Sequence, residues 1–208
     1  MKLKKKAKRI ILIVLVLVLV VLIGLFIYNK TSKKDSTKEV KIVNEVDKYG
    51  YKLKENKPKT YKKMFEELKK ILSEEDVNEE EYVKKISEMF IYDFYSLSDK
   101  TAKTDIGGVD FVYPSVLENF LLNAQNTYYK YVESNIYKNR NQSLPTVGEI
   151  EIVSVEKAPF AYGDKNDDNA YKVKVKWDYT DSEFDSYQKE ADLIFIHEDN
   201  KLHLVELQ

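Results

Sequence analysis

Residues 171–179 read YKVKVKWDY: Tyr171, Val173, Val175, Trp177 and Tyr179 alternate with Lys172, Lys174, Lys176 and Asp178. Successive side chains of an extended chain point to opposite faces, so this stretch carries one apolar face and one charged face. That pattern belongs to an antiparallel sheet packed on one side and wet on the other. Working outward, residues 148–157 read as the preceding strand, and residues 188–197 and 201–207 as two that follow. The tight turn Glu198-Asp199-Asn200 joins the last two as a hairpin.

Upstream of Pro145 the apolar period changes from 2 to 3.6. Tyr61, Met64, Phe65, Leu68, Ile71 and Leu72 fall on one face of a helix over residues 59–72. Asn78 is placed to cap a second helix, with Glu79, Glu80 and Glu81 at the positive end of its dipole. Its buried face is expected at Tyr82, Val83, Ile86, Met89, Phe90 and Phe94. The stretch around Gly107–Gly108 breaks this pattern, and Pro114 suits the first turn of a third helix. That helix is predicted to run to about Lys138, with Leu117, Phe120, Leu121, Ala124, Tyr128, Tyr131, Val132 and Ile136 inward. Val46, Tyr49, Tyr51 and Leu53 hint at an earlier strand, weakened by Gly50, and a helix through Val43 and Val46 is the alternative. Helices followed by hairpin-linked strands predict an α+β domain, with helices on one face of an antiparallel sheet of about four strands.

The N-terminal end sets the expected compartment. Residues 10–28, IILIVLVLVLVVLIGLFIY, form an unbroken apolar run behind Lys2, Lys4, Lys5, Lys6, Lys8 and Arg9. As a helix the run measures roughly 28 Å, close to the hydrocarbon thickness of a bilayer. The basic excess on its N-terminal side predicts a single-pass cell-membrane protein with a cytoplasmic N-terminus and an extracellular C-terminal domain. A cleaved signal peptide has a shorter core and ends in a small-x-small site, whereas this run exits through Phe26, Ile27, Tyr28, Asn29 and Lys30. The expected layout is a basic tail (1–9), a transmembrane helix (10–28), a polar tether (29–42) and an extracytoplasmic α+β domain (43–208).

Composition limits the chemistry. With no cysteine there is no disulfide framework and no thiolate metal site. Six of the 34 basic residues lie in the tail, which leaves 28 against 35 acidic ones and a net charge of −7 for residues 10–208. A mildly acidic domain lacks the cationic face that nonspecific nucleic-acid binding needs, so no nucleic-acid partner is expected. Arg140 is one of only two arginines. Just after the third predicted helix, it either offsets the dipole or binds a carboxylate in bidentate fashion.

Candidate sites are few. Asp164, Asn166 and Asp168 have the alternate spacing of a calcium loop, but Asn169 and Val175 occupy the positions that require Gly and Glu. Asx-rich turns explain the segment without an ion. His197 and His203 sit at the ends of two paired strands and could face each other across the hairpin, with Glu198 or Glu206 as a third ligand, but the spacing matches no metal or triad motif and each reads first as a strand residue at a sheet surface. Asp93, Asp105 and Asp110 follow no spacing rule. Metal, cofactor and catalytic residues are accordingly expected to be none. Aromatic density is the remaining signal, and Tyr92, Tyr95, Tyr129, Tyr137 and Trp177 are the interface candidates.

The 10–28 anchor, the long helix through Leu117–Ile136 and the strands around Val173–Trp177 and Leu193–Ile196 together resemble a known bacterial layout. It is that of single-pass proteins with a nuclear-transport-factor-like or cystatin-like cone domain, as in VirB-type bridge proteins of conjugation machines. The resemblance is architectural: it implies a curved, cone-like shape for the sheet and no functional residue. The expected function is a non-enzymatic binding or assembly module that docks a protein partner, or itself, through the exposed sheet face and aromatic cleft. The alternatives are a small-ligand-binding cone and, from the resemblance, a component of a conjugation- or secretion-type envelope complex. An enzyme would need a carboxylate of raised pKa deep in the pocket.

Overall fold

The alternation at 171–179 folds as the extended strand it predicts, with Tyr171, Val173, Val175, Trp177 and Tyr179 buried and lysines between them. The computed structural model describes residues 40–163 and 165–208, of which Lys41–Gln208 form one compact unit. Strands β1 (Ile42–Val46) and β2 (Tyr51–Lys54) pair as an antiparallel hairpin. Gly50 sits at its turn with φ 68°, a left-handed conformation that glycine adopts without penalty. So the early segment is a hairpin, and β1 starts at the last residue of the expected tether.

Helix α1 (Lys59–Leu72) turns Tyr61, Phe65, Leu68 and Leu72 inward, on the face its periodicity marks. Helix α2 (Glu79–Tyr95) is capped as expected: Asn78 Oδ1 accepts from the amides of Glu80 (3.0 Å) and Glu81 (3.2 Å). From Met89 to Tyr95 every residue of α2 is buried, because the helix packs against α1, the sheet and the loops after it. Helix α3 spans only Pro114–Asn126. At Thr127 the backbone leaves helical angles, and the Thr127 hydroxyl donates to the Asn123 carbonyl at 2.7 Å. The chain then doubles back, and Tyr131 and Ile136 stand exposed, against the expectation of a longer helix.

The main sheet is antiparallel with strand order β3 (Val147–Lys157), β6 (Tyr171–Tyr179), β7 (Glu190–Glu198), β8 (Lys201–Leu207). A small hairpin of β4 (Phe160–Tyr162) and β5 (Lys165–Asp167) lies between β3 and β6 in the chain. One sheet face joins the hydrophobic core with α2, through Val173, Val175, Leu193 and Phe195. The other face is laced with charge: Lys172 pairs with Asp192 at 2.9 Å, and Glu151 lies opposite Lys176 in the register. The domain is therefore α+β, with three helices and a four-stranded antiparallel sheet. No helix among the described residues is long and apolar enough to cross a membrane. The expected anchor at 10–28 lies outside the described residues.

Candidate binding cleft

Helix α3 packs loosely: only Ala124 is fully buried, although Val116, Leu117, Phe120 and Leu121 all turn toward the core. The reason is a cleft of about 440 Å³ between α3 and the edge of β8. Phe94, Tyr95, Phe120 and Tyr128 supply its aromatic lining, and Asn119, Asn123 and Gln188 its amides. The β8 stretch from Leu204 to Gln208 forms the opposite wall. An apolar floor with a few polar groups at the rim is the usual chemistry of a ligand site. A hollow on the charged sheet face, lined by Glu149, Glu151, Lys176 and Lys189 among others, offers mainly charged side chains instead.

The phenols around the cleft are ordered donors. Tyr179 donates to the Gln188 carbonyl at 2.9 Å, so the 3.0 Å contact between the Tyr128 and Tyr179 hydroxyls has Tyr128 as its donor. Tyr95 is buried, with its ring 4.3 Å from that of Trp177, and its hydroxyl has no hydrogen-bond partner among the described residues. Burial, reinforced by Tyr179, pushes the Tyr95 phenol far above its ordinary range. The phenol is therefore protonated at neutral pH and able to donate.

Four of the five aromatic interface candidates belong to the core. Tyr92, Tyr95, Tyr129 and Trp177 are buried, and only Tyr137 is exposed, at 86%. Tyr129 shows why helix periodicity misplaces it. Beyond the end of α3 it turns inward, where its hydroxyl donates to the Phe94 carbonyl (2.6 Å) and accepts from the Gly107 amide (3.1 Å). Of the five, Tyr95 alone lines the cleft with its neighbours from α2 and α3.

Among the described residues Asp93, next to Phe94 in α2, is the one buried acid. Its carboxylate accepts from Lys57 Nζ (2.6 Å), Lys100 Nζ (3.1 Å) and the Gly108 amide (2.8 Å). Burial works to raise its pKa, but the two ammonium groups and the amide overrule burial and hold it at about 2. The neighbouring Asp99, 2.8 Å from Lys100, is shifted the other way, with burial raising it against the pull of Lys100. Neither acid lines the cleft. Lys57 stands 36 residues from Asp93, so no spacing rule along the chain marks this cluster, and the Gly107-Gly108 pair is its one local trace.

The two histidines do not face each other. His203 is registered opposite Ile196, and His197 opposite Leu202, so a one-residue offset places the imidazoles on opposite faces of the sheet. His197 Nδ1 meets Asp167 Oδ2 at 2.9 Å, and Nε2 lies 3.4 Å from Glu79. The same Asp167 oxygen accepts the His197 amide at 2.7 Å. Strand β6 begins at Tyr171 opposite Phe195, so no β6 partner is left for that amide. Asp167 thus completes the sheet and fastens the β4–β5 hairpin. His203 packs edge-on against Tyr113 at 5.6 Å, and burial followed by the nearby Lys201 lowers its pKa.

Among the described residues no group of three or more acidic or histidine side chains is placed to hold a metal. Asp164, the first residue of the calcium-like spacing, lies outside the described residues, and the Asn166 amide bonds Asp168 directly. Arg140 follows neither expected role. Its guanidinium gathers the carbonyls of Lys100 (2.9 Å), Glu133 (3.1 Å) and Ser98 (2.9 Å), stapling the loop after α3 to the loop after α2. Compared with protein-family profiles, curated proteins and solved structures, the chain matches none.

Proposed function

We propose that the protein is a membrane-anchored, extracytoplasmic binding module that holds a partner in the cleft between α3 and the β8 edge. The cleft carries this reading: α3 leaves Val116 and Phe120 half-covered beside the aromatic lining of Phe94, Tyr95 and Tyr128. A helix that had only to close the core would bury that face outright. The anchoring half of the reading rests on residues 10–28 and the basic cluster before them. Tethering to the bilayer raises the effective concentration of the domain against other membrane-bound molecules, so modest affinity suffices. The charged sheet face, where acids and lysines already pair across strands, supports solubility more than docking.

A photo-activatable phenylalanine analogue at Asn123, on the cleft wall, tests the proposal in intact cells. It is expected to yield a discrete adduct, whereas the same group at Lys176 on the charged face yields none. Equal labelling from both positions, or no adduct from Asn123, sinks the binding reading. Protease added outside wall-stripped cells is expected to digest the domain. Digestion only after the cells are broken refutes the orientation.

A further inference from the structure

We infer that the cleft takes an extended peptide segment, which adds to the sheet at the open end of β8. This deepens the binding reading above and rests on it. Residues Val112–Tyr113 already run along β8 in a parallel bridge, with Val112 opposite Leu204 and the Tyr113 amide donating to the Leu204 carbonyl at 2.8 Å. The next residue is Pro114, which has no amide to offer and starts α3, so the chain leaves the edge there. Strand β8 continues for several residues past that point. The space vacated beside it is the cleft.

The backbone of β8 is turned to receive a strand. Asp192 and Gln208 exchange both hydrogen bonds, at 3.0 and 2.9 Å, and Ile194 opposes Glu206. By the two-residue alternation of an antiparallel ladder, Leu207 between them points its N–H and C=O away from β7, toward the cleft. Tyr95 lines the same cleft, and its hydroxyl makes no side-chain hydrogen bond among the described residues, so it is free to donate to an occupant. Together they offer a backbone donor, a backbone acceptor and a phenol donor over an aromatic floor. This matches an extended peptide, whose main chain alternates donors and acceptors and whose side chains alternate between floor and solvent. The open edge is short, so the aromatic floor supplies most of the affinity and the main chain sets the register. The side chain presented to Phe94, Phe120 and Tyr128 is therefore apolar or aromatic.

The test uses the full chain in nanodiscs and a positional-scanning library of end-blocked hexapeptides. Pools with an aromatic or large aliphatic residue at one position are expected to bind. N-methylation along the strongest peptide is expected to weaken binding sharply only at the residue whose N–H meets the Leu207 carbonyl. Leu207→Pro removes the outward N–H without touching the bonds to β7 and is expected to weaken binding about tenfold, whereas Leu207→Ala weakens it far less. Loss of binding on N-methylation at every position or at none overturns strand addition, as does equal loss in the two variants. If no pool binds while the Asn123 cross-link still captures a partner, the peptide inference falls and the binding module stands. If both are silent, both fall.

Discussion

Asp93 decides more of the local structure than any other polar side chain. Its folded pKa of about 2 lies below the ordinary carboxylate value, so its charge adds stability that is fully present above about pH 4. That contribution, on the order of 2 kcal/mol, is lost as pH falls through the folded pKa. Asp99, raised by burial, works in the opposite sense just above the usual carboxylate range, which narrows the net effect there. Asp93→Asn is expected to cost about 3 kcal/mol at neutral pH, since it leaves Lys57 and Lys100 buried against a neutral amide. It should also flatten the loss of stability between pH 4 and 2. Urea denaturation at stepped pH reads both effects, and a variant as acid-sensitive as the parent contradicts the assignment. Gly107 is the geometric counterpart. A Cβ there would sit 1.9 Å from the Asp93 carbonyl oxygen, so Gly107→Ala is expected to destabilise by about 3 kcal/mol or more, seen as a lowered Tm. Sequence reading cannot reach this cluster, because nothing local to Asp93 says which lysines meet it.

Where the signal is local, elements were legible. The cap at Asn78 is a fixed offset from the amides it satisfies, and Asn78→Ala is expected to cost about 1 kcal/mol by chemical denaturation, with the fold unchanged. The strands follow from period 2, which burial on one face enforces. The end of α3 was not legible, because the apolar residues after Thr127 keep a helical spacing while serving another structure. Tyr129 and Val132 turn into the core, and the carbonyls of this loop and the one after α2 hold Arg140. Edge strand β3 has its own prediction. It runs 11 residues with two register shifts and exposes Glu149 and Glu151, features that discourage pairing with a second sheet. Replacing both glutamates by valine is expected to raise self-association, measured by light scattering. A variant that stays as monodisperse as the parent would show that the bulges alone protect the edge.

At the scale of the whole molecule, sequence and tertiary structure answer different questions. The sequence alone determined the α+β class, the order of the three helices and the four main-sheet strands, and the expectation of a lipid span at residues 10–28, but not the β4–β5 hairpin. Each of these depends on periodicity or on an unbroken run, which are properties of neighbours in the chain. Only the tertiary structure decided that Tyr92, Tyr95, Tyr129 and Trp177 are core, that the two histidines lie on opposite sheet faces, and that a cleft opens beside β8. Those facts rest on residues far apart in the chain, such as Phe94 from one helix, Phe120 from another and Leu207 from the last strand. Burial of a given aromatic ring, or its opening onto a hollow, is fixed by how well distant elements fill the space between them, and no spacing rule along the chain encodes that volume.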